Sequence, residues 1–371
     1  MTTPISALAT AGVQRLIPYI PGKPIEELER ELGLSQIIKL ASNENPLGPS
    51  KKALAAIQST LSSLALYPDG NGFNLKSALA SKFAVDTSQI TLGNGSNELL
   101  ELVARAFLTP ELEAVFSQHA FAVYPIVTQA VGAKSVVVPA RNYGHDLDAM
   151  LASVTARTRI VFIANPNNPT GTLLAQAEVE NFIASLPETV ICVLDEAYFE
   201  FVSAGQPTDG INSIDWLKKY PSLLITRTFS KAYGLAGLRI GYGLSSPELA
   251  DLLNRVRQPF NCNMLALAAA EAALADVEHL QNTISNNSQG MQQLEAGFKQ
   301  LQLDWIPSAG NFVLLNINRP GMPVYEALLR KGVIVRPVAN YELPNHLRIS
   351  VGTQQENQLF LQALSECLTH V

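Results

Sequence analysis

Seven short apolar runs constrain this chain more than any other feature of it. They are Gln89 to Leu92, Ala114 to Ser117, Lys134 to Pro139, Arg159 to Ala164, Thr189 to Leu194, Ser222 to Arg227 and Arg239 to Leu244. Several are continuous in apolar character, the pattern of strands covered on both faces. Between them lie stretches of helical spacing, such as Leu99, Leu102, Val103, Ala106 and Phe107. Strand and helix signals that alternate in this way predict an α/β fold with a mostly parallel central sheet. Past Pro247 the pattern changes to a long helical stretch, Glu248 to Leu301, with a break near Gln258 to Asn263. Short strands and helices follow: Asn311 to Asn316, Val324 to Lys331, Val333 to Arg336, His346 to Val351 and Gln355 to Leu368. A chain of 371 residues exceeds what one core usually serves. The expected division is residues 1–45 as an N-terminal arm and part of a small domain, 46–260 as a large domain, and 261–371 as an interdomain helix and the smaller α/β domain.

Charge and motif content remove whole classes of function. Lys and Arg number 26 against 32 Asp and Glu, a net charge of −6, so no cationic field is available to hold a nucleic acid. The most apolar segment, Leu265 to Ala275, is interrupted by Glu271 and is far shorter than the roughly 20 residues that cross a bilayer. The N-terminus lacks the apolar core of a secretory signal, and three scattered cysteines, Cys192, Cys262 and Cys367, form no disulfide framework. A cytoplasmic protein with reduced thiols is the expectation. No P-loop, C-x-x-C, H-E-x-x-H or G-x-S-x-G pattern occurs, so no metal role is expected and a serine hydrolase has no anchor.

Four features fall where strands end, the place where open α/β sheets bind ligands. Asn165-Pro166-Asn167-Asn168-Pro169-Thr170-Gly171 follows one run and holds Asn168 as a fixed amide. Asp195-Glu196-Ala197-Tyr198 follows another, and an aspartate at the end of an apolar strand is partly desolvated and wants a cationic partner. Lys231 stands in Thr228-Phe229-Ser230-Lys231-Ala232-Tyr233-Gly234, among hydroxyl and small residues that leave its amine approachable. Arg239 follows eight residues later between glycines, and its charge disfavours protonation of Lys231. Upstream, Gly93-Asn94-Gly95-Ser96-Asn97-Glu98 joins a strand to a helix, a phosphate cradle lacking the third glycine of the dinucleotide fingerprint.

In order and spacing these segments resemble the fold-type I pyridoxal-phosphate aminotransferases along nearly the whole chain. The resemblance implies that Lys231 forms a Schiff base with pyridoxal 5′-phosphate, that Asp195 pairs with its ring nitrogen, and that Asn168 and Tyr198 bond its phenolic oxygen. It places Gly95, Ser96, Asn97, Thr228, Ser230 and Arg239 around the phosphate, and matches Tyr124 to an aromatic residue stacked on the ring. The chemistry suits these residue types. Lysine forms the linkage and, once displaced, its amine moves a proton. A carboxylate against the ring nitrogen favours its protonated form by roughly 1–3 pKa units, about 1.4–4 kcal/mol, and so makes the ring an electron sink.

Three further segments, Leu40 to Pro49, Tyr67-Pro68-Asp69 and Leu347 to Thr353, look like the histidinol-phosphate aminotransferase family. That likeness implies a homodimer with shared active sites, in which Tyr67 reaches the cofactor phosphate of the neighbouring subunit. It implies also that Tyr19 lies near the substrate and that Arg336 and Arg348 receive its anionic groups. The implied reaction exchanges the amino group between L-histidinol phosphate and 2-oxoglutarate, giving imidazole acetol phosphate and L-glutamate. An aromatic-amino-acid aminotransferase, or a pyridoxal-phosphate decarboxylase of phosphorylated amino acids, stays open on the residues alone.

Overall fold

The computed structural model describes residues 4–202 and 212–370. All seven apolar runs enter one seven-stranded sheet. Across that sheet the order is Ile90–Gly93, Gly241–Leu244, Leu223–Thr228, Ile191–Asp195, Thr158–Ala164, Glu113–Ser117 and Lys134–Val138. Gly241–Leu244 runs antiparallel to both its neighbours, and the other pairings are parallel. Side chains alternate across the sheet, so each strand feeds two cores. From Thr158–Ala164, Val161 and Ile163 enter one cluster while Ile160 and Phe162 enter the other. Both faces are covered by helices, which explains why these strands read as unbroken apolar runs.

A separate cluster built from Leu40, Val313, Leu315, Leu347, Ile349, Phe360 and Leu364 organises the C-terminal part. There an antiparallel sheet runs Arg336–Pro337, His346–Ser350, Phe312–Asn316, Asp304–Ile306. The N-terminal segment joins it: Ile38–Lys39 pairs in parallel with Val333–Ile334. The helix Val277–Gln300 packs along Gln354–His370.

Local departures from the sequence reading have local causes. Arg239 does not begin a strand. It sits at φ 55° in the left-handed region, and the strand starts at Gly241. The helical stretch breaks twice. Pro247–Val256 and Met264–Leu274 are separated near the expected place, with Asn263 capping the second by accepting from Ala266 N–H. A second break, at Ala275 and Asp276, precedes Val277–Gln300 and lacks a glycine or proline to announce it. Val333 to Arg336, read as one strand, divides between two sheets. Asp304–Ile306, only three residues long, carries too little pattern to be read from sequence.

Candidate active site

The carboxyl ends of the parallel strands open on a cavity of about 400 Å³. Its walls contain Ser96, Asn97, Asn168, Asp195, Tyr198, Thr228, Ser230, Lys231 and Arg239 from the large sheet and its connections. Tyr19 from the N-terminal arm and Arg336 and Arg348 from the small sheet line it too. Twelve of the residues singled out from sequence thus share one chamber, and three do not: Gly95, Tyr124 and Tyr67.

Asp195 ends its strand, 5% exposed, with the cavity at its side chain. The expected cationic partner is not there: among the described residues no cation lies within ion-pair distance of it. Instead Tyr124 Oη donates to Oδ2 at 2.9 Å and Thr226 Oγ1 to Oδ1 at 3.0 Å. Burial raises its pKa to about 6 against the opposing pull of those neutral donors and the Ala197 N–H. The carboxylate is oriented from behind and uncompensated in front, so it can accept a cationic ring N–H.

Tyr124 requires a correction. It is fully buried, its ring stacks on Phe162 at 4.7 Å and 6°, and its hydroxyl is engaged by Asp195. It supports the aspartate and does not line the cavity. Within that segment the aromatic residue that does is Phe121, three residues earlier, with its ring edge-on to Tyr124 at 5.9 Å. Phe121 and Tyr124 both lie in Phe121-Ala122-Val123-Tyr124, and sequence spacing cannot say which one faces in, because the helix begins within that tetrapeptide at Val123.

Lys231 follows the strand Leu223–Thr228, with Nζ donating to Ser42 O at 2.8 Å. Desolvation first, then the charges of Arg348 and Arg239, lowers its pKa to about 7, with Glu44 pulling the other way. An amine so placed is substantially neutral near pH 7 and therefore nucleophilic.

The anion cradle is set by glycines. Gly95 takes φ +79°, and a Cβ there would lie 2.4 Å from Arg239 Nη2; a Cβ on Gly241 would lie 2.5 Å from Ser96 N. Any side chain at either position would occupy the space between guanidinium, backbone and helix. Ser96 opens the helix Ser96–Phe107, so its first N–H groups and dipole meet whatever anion the cradle holds. Arg239 Nη1 reaches Ser230 Oγ at 3.4 Å, and Ser230 N–H donates to Thr228 Oγ1 at 3.1 Å.

Tyr198 Oη accepts from Asn43 Nδ2 at 2.9 Å and Asn168 Nδ2 at 3.1 Å. With both lone pairs taken and its pKa raised to about 12 by burial, its own proton remains to donate. Arg348 Nη1 donates to Asn168 Oδ1 at 2.6 Å and Nη2 to Ala41 O at 2.6 Å, while its buried Nε has no hydrogen-bond partner among the described residues. Arg336 is 8% exposed, pairs across strands with Arg348, donates to Ile20 O at 2.7 Å and lies 5.5 Å from the Tyr19 ring. Tyr67 is elsewhere, 82% exposed and stacked on Phe260 at 4.8 Å. Sequence reasoning assigned no role to Ser42, Asn43, Phe121 or Thr226. Ser42 and Asn43 lie in a segment it did single out, but their contacts are to residues far along the chain.

Comparison with known proteins shows the family. The model of the family described as aminotransferase class I and II matches residues 35–364. The chain belongs to that family. It is 62% identical over 364 residues to histidinol-phosphate aminotransferase 2 of Pseudomonas fluorescens, covering 98% of each chain, and 60% identical over 366 residues to the protein of the same name in Pseudomonas aeruginosa, again covering 98% of each. A crystal structure of histidinol-phosphate aminotransferase from Sinorhizobium meliloti in complex with pyridoxal-5′-phosphate superposes with a TM-score of 0.90 at 32% identity, over 97% of both chains. Within the aminotransferases, its place is among the histidinol-phosphate aminotransferases.

Proposed function

We propose that this protein transfers the amino group between L-histidinol phosphate and 2-oxoglutarate with pyridoxal 5′-phosphate held in the cavity described above. The observation that carries the reading is the joining, in one chamber, of a lysine with its pKa lowered to about 7, a buried aspartate without a cationic partner, and the Ser96 and Arg239 cradle that Gly95 leaves open behind them. These residues fit the cofactor group by group. The cradle takes its phosphate, Asp195 its ring nitrogen, Asn168 and the free proton of Tyr198 its phenolic oxygen. Phe121 takes the stacking role that sequence matching gave to Tyr124. When bound there, pyridoxal 5′-phosphate supplies an aldehyde that amines capture and a ring that accepts the electrons left at the substrate's Cα.

The chain's own residues do the rest. Lys231 is the amine that would hold the aldehyde, and once freed by an incoming amine its Nζ would be the group that moves a proton at the substrate Cα. Asp195 would favour the protonated ring nitrogen, with Tyr124 and Thr226 holding the carboxylate in place. Arg348 and Arg336, with Tyr19 beside them, receive the phosphate of one substrate, and Arg348 receives a carboxylate of the other. Guanidinium forks accept both anions, which suits a site that binds two substrates in turn.

The assembly we infer is a homodimer with shared sites. Tyr67, largely exposed and braced by Phe260, is placed to reach into a second copy, and Ile5, Leu8, Ile17 and Ile20 leave an apolar arm open to cover. We place the protein in the cytoplasm, where its three free, buried cysteines would stay reduced. No helix among the described residues is long and apolar enough to cross a membrane.

The test is to add each amine to the cofactor-loaded protein, follow the cofactor's absorbance, and compare kcat/KM. Histidinol phosphate should exceed phenylalanine by about 10²-fold or more, since losing a phosphate leaves buried arginines unpaired. Equal values would favour an aromatic-amino-acid aminotransferase, and carbon dioxide release without glutamate a decarboxylase.

A further inference from the structure

The face of the large sheet that turns away from the cavity holds an ion pair no step above uses. Glu196 directly follows Asp195, and Arg227 directly follows Thr226. Because side chains alternate along a strand, Asp195 and Thr226 face one way and Glu196 and Arg227 the other. Arg227 reaches Glu196 Oε2 with Nε at 2.9 Å and Nη2 at 2.7 Å, and the two side chains are 1% and 2% exposed. The guanidinium lies 3.5 Å from the Phe199 ring centroid and 5.2 Å from that of Phe83; Ser213 Oγ is 3.5 Å from Nη2, and Glu200 is a second acid in its field. Neither residue lines the cavity.

A buried ion pair is seldom more stabilising than apolar side chains of the same size, whereas removing one partner is costly. Stability alone therefore gives weak reason for placing charges here. Their location gives a better one. Asp195 and Thr226 are register partners on adjacent strands, and Glu196 N–H donates to Thr226 O at 2.8 Å. The ladder between these two strands stops at that pair, while Leu223–Thr228 runs on for two residues against Gly241–Leu244, and the ion pair bridges the two strands just past the point where their own ladder stops.

We propose that Arg227 and Glu196 are positioning residues whose ion pair locks the end of the Asp195 strand to its neighbour, so that Thr226 and Asp195 keep the geometry in which the carboxylate meets the cofactor's ring nitrogen. This rests on the cofactor reading above. The demand on that geometry is tight, because Asp195 has only neutral donors and a pKa already raised by burial. A lost Thr226 hydrogen bond would raise it further and weaken its hold on the ring proton.

The test uses holoenzyme loaded with pyridoxal phosphate labelled with ¹⁵N in the ring. Parent, Arg227→Lys and the double variant Glu196→Gln/Arg227→Met, which removes both charges at similar volume, are compared by ring-nitrogen chemical shift, by kcat and KM, and by melting temperature. In the double variant the ring nitrogen should move toward its unprotonated shift and kcat should fall about tenfold, with KM within about threefold of the parent, the pattern of a lost transition-state interaction. Arg227→Lys, which keeps the charge without the two-nitrogen grip, should fall between. Any folded variant in which only the melting temperature changes overturns the inference, because a merely structural pair would do that. A parent protein that takes up no cofactor would instead overturn the functional reading, and this inference with it.

Discussion

Two walls enclose the cavity, and they differ in how their side chains are held. On the large-sheet wall several functional groups are fixed by neighbours in the same layer, Asp195 by Thr226 and Tyr124, Ser230 by Thr228, Arg239 against Gly95, while Lys231 and Tyr198 also bond the N-terminal segment at Ser42 and Asn43. On the small-sheet wall Arg348 donates across the gap to Asn168 Oδ1, and Arg348 and Arg336 donate also to Ala41 O and Ile20 O of the N-terminal segment. The first wall is preorganised for chemistry, which tolerates little movement. The second makes contacts that a substrate anion can exchange, as a wall that must release one substrate and accept another should.

The largest effect falls on the first wall. Lys231→Ala should lower transamination by about 10⁴-fold or more, because the residue is both nucleophile and proton carrier; near-normal turnover would break the comparison at its root. Asp195→Asn keeps the shape and removes the charge, and should reduce kcat by about 10²–10⁴-fold with little change in KM. Arg348→Gln should do the reverse, raising KM for anionic substrates by about 10–100-fold with a smaller effect on kcat. Steady-state kinetics on the two variants read the contrast directly. If Arg348→Gln struck kcat as hard as Asp195→Asn, the division of labour between the walls would be wrong.

Acidity sharpens the same contrast. Folding lowers the Lys231 pKa from 10.5 to about 7, so between those values the unfolded chain binds more protons and stability rises with pH. Cofactor-free Lys231→Met should therefore melt higher than the cofactor-free parent at about pH 7, by a few degrees. The difference should shrink as pH rises to about 10; one that stays constant would show that the amine is not desolvated. The smallest expected effect is that of Tyr124→Phe, which removes one neutral hydrogen bond from Asp195 and should lower kcat by about three- to tenfold, roughly 1 kcal/mol.

The same division explains what the sequence could disclose. The large-sheet wall is written in short segments, each a strand end with its functional residue attached, so Asp195, Lys231 and Asn168 stand out beside apolar runs. Tyr124 shows the limit: it is near the site in sequence, yet one turn of backbone decides whether it or Phe121 faces in. Asn43, Ser42 and Thr226 act through partners 155, 189 and 31 residues away, and no local pattern encodes such pairings. Arg336 is legible only through the family resemblance, and the register that sets it opposite Arg348 is not written in its own segment. The helix break at Ala275 and the strand Asp304–Ile306 were illegible because tertiary packing, with no cap or period to announce it, sets them.

The most direct test of the central claim is chemical. Purified protein incubated with pyridoxal 5′-phosphate, treated with borohydride and digested should yield a phosphopyridoxyl group on the peptide bearing Lys231. Lys231→Ala should yield none. Label spread over surface lysines, or absent from the Lys231 peptide, would contradict the account.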